Sequence, residues 1–158
     1  MSLTPKRAAE SVTEMVQVVL PNDANPLGFI LGGTVMHLID IAGAIASLRH
    51  TRTAVVTAAV DGLQFLHPIK VGDLIILNAR VTCAFTTSLE VQVDVFSEET
   101  LTGTRQQTSR AYLTFVAVSP TGERLAIPPL LIETADEQRV AQDAQARRTA
   151  RLEQKAKL

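Results

Sequence analysis

The sequence lacks most of the features that would tie it to a special environment. It has one cysteine, Cys83, so no intramolecular disulfide can form, which fits a reducing compartment. No Cys/His cluster has zinc-ligand spacing, and the three histidines, His37, His50 and His67, are far apart and form no metal motif. No apolar run approaches the roughly 18 residues needed to span a bilayer, and residues 1–10 lack the apolar stretch of a secretory signal. A formal net charge of −1 argues against nucleic-acid binding by bulk electrostatics. The expectation is a cytoplasmic protein with no metal, and with neither membrane nor nucleic acid among its partners.

What is present is ordinary in amount and informative in order. A chain of 158 residues, 46% hydrophobic and 20% charged, suffices for one domain with a single core. Five segments read as strands, at residues 11–20, 54–65, 73–83, 89–96 and 104–118. The third places Ile75, Leu77, Ala79, Val81 and Cys83 on one side. The fourth alternates Leu89, Val91, Val93 and Val95 with Glu90, Gln92 and Asp94. The breaks between the last three strands are short, so these predict antiparallel neighbours.

A different pattern fills the gap between the first two strands. Residues 34–50 carry Val35, Met36, Ile39, Ala42, Gly43 and Ala46 at helical spacing and very little charge. A helix so apolar around its circumference has to be widely buried, and the simplest arrangement is a sheet around one central helix, an α+β fold. A second helix is predicted from about residue 133, where Thr134 and Glu137 stand in capping-box relation. From Arg139 to Leu158 there are six Lys/Arg against two Asp/Glu, a net of +4. Its apolar residues are few, so it is expected to dock weakly or to extend away; some of its arginines could face an anionic ligand.

Two places carry chemistry. Gly32-Gly33 precedes the central helix, and two glycines let a ligand approach the backbone closely. The first N–H groups of a helix have no intrahelical partner and lie at its positive end, which suits a developing oxyanion; a plain flexible helix start would look the same. Asp40 lies farther along, with Met36, His37, Gly43 and Ala44 as its helical neighbours. It could act as a general base on water or as a nucleophile. It could also be an aspartate on the helix's one wet edge, held by His37.

The ordered motifs Asn25-x-x-Gly28-x-x-x-Gly32-Gly33, Asp40, Arg49-His50, Val56-Thr57-Ala58, Phe65-x-x-Pro68-Ile69-x-x-Gly72-Asp73, Thr87-Ser88-Leu89-Glu90-Val91 and Thr114-Phe115-Val116-Ala117-Val118, then Ile127-Pro128, resemble the acyl-CoA thioester hydrolase family of hotdog proteins. The likeness runs from about Thr13 to Arg151. It implies a hotdog fold, an antiparallel sheet wrapped around a long central helix, here with a C-terminal helix added. Residues 1–12 would be an N-terminal segment, 13–132 the thioesterase domain and 133–158 a basic helical extension. The implied reaction is hydrolysis of acyl-CoA to free fatty acid and coenzyme A. No cofactor is implied, since coenzyme A belongs to the substrate. The resemblance makes Asp40 the catalytic carboxylate, Asn25 the residue that positions water or the thioester, and Gly33 the oxyanion donor. Gly32, Thr57, Thr87 and Ser88 would line the substrate channel. It further implies a dimer or a trimer of dimers, with Asn25 and Asp40 of different subunits meeting at each site.

One departure matters. The family often has Gly-Arg or Gly-Thr before the Thr-Ser pair, whereas this chain has Phe85-Thr86. A coenzyme A phosphate contact would then fall to another cation, among Arg49, Arg52, Arg110, Arg147 and Arg148. Two other function classes make different demands on the residues. A hydroxyacyl dehydratase would need a histidine motif that is not recognisable here. A non-catalytic acyl-CoA-binding or sensing protein would have no need to retain both Asn25 and Asp40.

Overall fold

The computed structural model describes residues 3–158. In chain order they form β1 (Lys6–Arg7), β2 (Thr13–Val18), helix α1 (Gly32–Thr51), β3 (Ala54–Asp61), β4 (Leu74–Ala84), β5 (Ser88–Glu98), β6 (Arg105–Val118), β7 (Leu130–Leu131) and helix α2 (Ala135–Ala156). Five strands make one sheet in the order β2-β4-β5-β6-β3, antiparallel throughout. β2 and β3 are its two edges, so α1, which joins them, has to cross the whole sheet. This is the hotdog fold expected from the sequence.

The core lies between α1 and one face of the sheet. Val35, Leu38, Ile39, Ala42 and Ala46 of α1 meet Leu77, Leu89, Val91, Val93, Leu113 and Phe115. Each large side chain buried there contributes about 1.5–3 kcal/mol. The helix lies close to the strands because Gly43 has no Cβ: one built there would sit 2.9 Å from the Phe115 ring. Arg52, in the left-handed region at φ 54°, ends the helix.

Several expectations need adjustment. The first strand is shorter than 11–20, and the second stops at Asp61 because Gly62, at φ 66°, turns the chain away. β1 and β7 pair in parallel, a two-residue ladder too short to leave a periodic signal. Cys83 does not share a face with Ile75, Leu77, Ala79 and Val81. The β4–β5 register shifts between Val81 and Cys83, so Cys83 lies opposite Glu90 and faces outward.

The largest correction concerns α2. Thr134 caps it as expected, accepting the N–H of Glu137 at 3.0 Å, but the helix docks firmly. Ala141 and Ala144 pack on Cys83 against Phe85 and Ile132 on the outer face of the sheet. Arg147 grips the buried carboxylate of Glu90 with two hydrogen bonds, at 3.0 and 2.9 Å, and lies 3.6 Å from the centre of the Tyr112 ring. Arg151 pairs with Asp61 at 2.8 Å. Polar docking of this kind leaves no apolar stripe in the sequence.

Candidate active site

The N-terminus of α1 keeps its donors free. Leu31 in the cap position offers no side-chain acceptor, and the first turn holds no acid. The N–H groups of Thr34 and Val35 both go to Leu31 O, at 3.0 and 3.1 Å. Those of Gly32 and Gly33 have no partner among the described residues. Nothing lies within 4 Å of the place a Cβ would take at Gly33, so the space beside it is open, whereas the corresponding point at Gly32 meets the Phe65 ring at 3.5 Å.

Asn25 is held by its own loop. Its Oδ1 accepts the N–H groups of Leu27 and Phe29, at 3.0 and 3.1 Å, and Gly28 takes φ 84° to close the turn. With the carbonyl oxygen occupied, the amide Nδ2 is what Asn25 presents, and it can only donate. The loop is tied to the helix start by the N–H of Leu31, which donates to Asp23 O at 2.8 Å. Asn25 and the α1 N-terminus therefore move as one unit.

Asp40 is half-buried on α1, and its Oδ1 accepts the hydroxyl of Thr57 at 2.6 Å. Thr57 comes from β3 just before a register shift and faces α1 with its neighbour across the ladder, Phe115. One oxygen of Asp40 is thus fixed and the other left for a reactant. Asp40, Thr57 and Gly33 border one cleft of about 330 Å³, with Met36 and Leu63 among its apolar walls. His37 is exposed at the rim of this cleft.

Asn25 and Gly32 border a different cleft, of about 380 Å³, with Phe29, Val35, Phe65 and Ile69. The helix N-terminus separates the two. A single chain therefore does not bring Asn25 to Asp40. Thr87 lies in the β4–β5 turn, where its carbonyl oxygen accepts the N–H of Ala117 at 2.9 Å, and Ser88 opens β5; neither borders these two clefts.

The candidate arginines sort cleanly. Arg147 is held by Glu90 and Arg110 by Asp94, while Arg49 donates to Val12 O and Thr13 Oγ1. Arg148 lies on the Phe85 ring, 4.6 Å from its centre, and makes no ion pair among the described residues; nor does Arg52. His50 is a structural residue. It is fully buried with Nε2 2.8 Å from Pro128 O, and burial pushes its imidazole below the usual value against that hydrogen bond. Burial raises the Cys83 thiol, with Glu90 adding to the effect, so Cys83 is a poor nucleophile. Among the described residues no group of His, Cys, Asp and Glu could hold a metal, and no helix is long and apolar enough to cross a membrane.

A carboxylate and a helix N-terminus, each opening into an apolar cleft, make a site suited to acyl transfer to water. The sequence pattern of the thioesterase superfamily matches residues 27–104. An uncharacterized acyl-CoA thioester hydrolase of Bacillus subtilis is 37% identical over 81% of this chain and 74% of its own length. The human cytosolic acyl coenzyme A thioester hydrolase is 32% identical over 90% of this chain, which spans only 38% of that protein. Among solved structures, an apo hexameric acyl-CoA thioesterase superposes with a TM-score of 0.92 at 37% identity, covering 98% of this chain and 99% of the other. An acyl-CoA hydrolase of Staphylococcus aureus, solved with butyryl coenzyme A, coenzyme A and coenzyme A disulfide, gives 0.85 at 33% identity, covering 96% and 95%. The chain belongs to the acyl-CoA thioester hydrolases of the thioesterase superfamily.

Proposed function

We propose that the protein hydrolyses the thioester of acyl-CoA at sites shared between two subunits, each combining Asp40 and Thr57 of one with Asn25 and Gly33 of the other. The observation that carries this reading is the separation of Asn25 and Asp40 into different clefts of one chain. Asp40 lies seven residues beyond Gly33, about 10 Å along the helix axis at about 1.5 Å per residue. A second copy can bring its own Asn25 loop and helix N-terminus to Asp40 as the unit described above. The surface where it would dock is apolar: Val56 and Val60 on the edge strand β3 are 50% and 45% exposed, and Met36 on α1 is 47% exposed. Exposed edges and apolar patches of this kind are normally covered. The hexameric state of a structural neighbour supports assembly as a dimer or a trimer of dimers.

In the proposed reaction Asp40 takes a proton from water as the water oxygen bonds to the thioester carbon. Thr57 holds Asp40 Oδ1, which leaves Oδ2 as the base. The amide of Asn25 donates to the water or the carbonyl oxygen, and the Gly33 N–H receives the negative charge that builds on that oxygen. When the tetrahedral intermediate collapses the C–S bond breaks, and the proton held by Asp40 goes to the leaving sulfur. No cofactor enters these steps. The Staphylococcus aureus enzyme has been solved with alanine at an asparagine, an aspartate and a threonine spaced by 15 and 17 residues. Asn25, Asp40 and Thr57 have the same spacing, which supports treating them as a set. Arg52 and Arg148, the two candidate cations with neither an ion pair nor a side-chain hydrogen bond among the described residues, are the proposed contacts for the phosphates of coenzyme A, and the proposed location is the cytoplasm.

The test is thiol release from acyl-CoAs of increasing chain length by wild-type protein and by Asp40→Asn. Turnover by the variant should fall at least about 100-fold, the lower end of what a general base contributes. Near-normal turnover by folded Asp40→Asn protein would remove Asp40 from the mechanism.

A further inference from the structure

The cleft that holds Asn25 contains a polar group that the mechanism does not use. Ser109 lies on β6 opposite Val95, on the face turned toward α1, where the succeeding inward residues are Ala111, Leu113, Phe115 and Ala117. It is 1% exposed, it borders the 380 Å³ cleft with Gly32 and Val35 of the first turn of α1, and its hydroxyl has no hydrogen-bond partner among the described residues. The neighbouring Thr108 hydroxyl is satisfied, donating to Val95 O at 3.2 Å. An alanine would fill the same place without an unpaired polar atom, and buried hydroxyls left unpaired are costly. The rest of the wall, including Phe29, Ile30 and Phe65, suits an acyl chain.

We infer that Ser109 is a specificity residue for the acyl group, its hydroxyl pairing with a hydroxyl or oxo oxygen on the acyl chain, so that the enzyme favours oxygenated short acyl-CoAs over the plain ones. This rests on the thioesterase reading above. A serine hydroxyl both donates and accepts, so it serves either kind of oxygen. The chain oxygen reaches it from the helix end, where the thioester carbonyl is bound near Gly33. A site built to pair with a substrate oxygen discriminates against the analogue that lacks it, because its own polar group then stays unsatisfied.

The experiment compares kcat/KM for butyryl-CoA with that for 3-hydroxybutyryl-CoA, 4-hydroxybutyryl-CoA and acetoacetyl-CoA. Wild-type protein is set beside Ser109→Ala, which removes the hydroxyl, and Ser109→Thr, which keeps it. For wild type at least one oxygenated substrate should exceed butyryl-CoA by roughly tenfold, about the worth of one net hydrogen bond. The ratio should collapse toward unity in Ser109→Ala and be retained in Ser109→Thr. Thermal unfolding of Ser109→Ala should occur at or above the wild-type temperature, since an unpaired polar atom is lost. Hydrolysis of all four substrates with no wild-type preference, or a preference that Ser109→Ala keeps, overturns the role of Ser109 and leaves the thioesterase reading standing. Thiol release from longer acyl-CoAs but from none of the four overturns the role of Ser109 alone, and release from no acyl-CoA of any length overturns both.

Discussion

Mixing two inactive variants tests the shared site directly. Asn25→Ala removes the donor from one cleft and Asp40→Asn removes the base from the other, and neither residue is part of the core between α1 and the sheet. If the site is divided as proposed, a dimer of either variant alone has two broken sites. A heterodimer has one site with both residues intact and one with neither. At a 1:1 ratio with free exchange about half the dimers are heterodimers, each carrying one of two sites, so activity should recover to about a quarter of wild type. The assay is thiol release from a short-chain acyl-CoA before and after exchange, with heterodimer formation followed by native mass spectrometry through an affinity tag of different mass. If Asn25 and Asp40 of the same chain formed the site, every site in the mixture would lack one of them. No recovery despite confirmed exchange would refute the division and require the loop at Asn25 to swing across the N-terminus of its own helix.

Two further outcomes follow from the buried polar groups. Arg147→Ala leaves the carboxylate of Glu90, only 2% exposed, with the Thr82 hydroxyl alone. Removing one partner of such a pair costs about 3–5 kcal/mol, to be read from urea unfolding, and adding Glu90→Leu should recover much of the loss; a change below about 1 kcal/mol would mean that α2 is held by its alanines. His50 gives stability a pH dependence: because burial lowers its folded-state value, the unfolded chain binds the proton more readily. Stability is then complete above the unfolded value of about 6.5 and declines as pH falls below it, by at most about 1.4 kcal/mol per pH unit. His50→Gln should flatten that decline, and an unchanged slope would assign it to other groups.

The elements and their order are written in local sequence patterns. Alternation at Leu89–Val95 and the uncharged run around Ile39 and Ala42 are set by local periodicity, and five strands with one apolar helix leave few ways to bury that helix. Asp40 and the glycine pair were legible for the same reason, because a carboxylate and two glycines stand out against an apolar helix. How the groups meet depends on contacts between elements distant in the chain. The hydrogen bond from Thr57 to Asp40 joins residues on two elements, and no alternation along either one encodes their meeting. The bulge after Val81 turned Cys83 to the outer face, since one extra residue reverses every later side chain. Arg147 was one basic residue among several until Glu90, 57 positions away in the chain, proved to be buried beneath it. Ser109 reads as a small residue at the inward end of a strand, and only the cleft beside it shows that its hydroxyl has been left unpaired. Periodicity reports which face a residue takes, whereas pairing between distant polar groups depends on register and on the packing of whole elements.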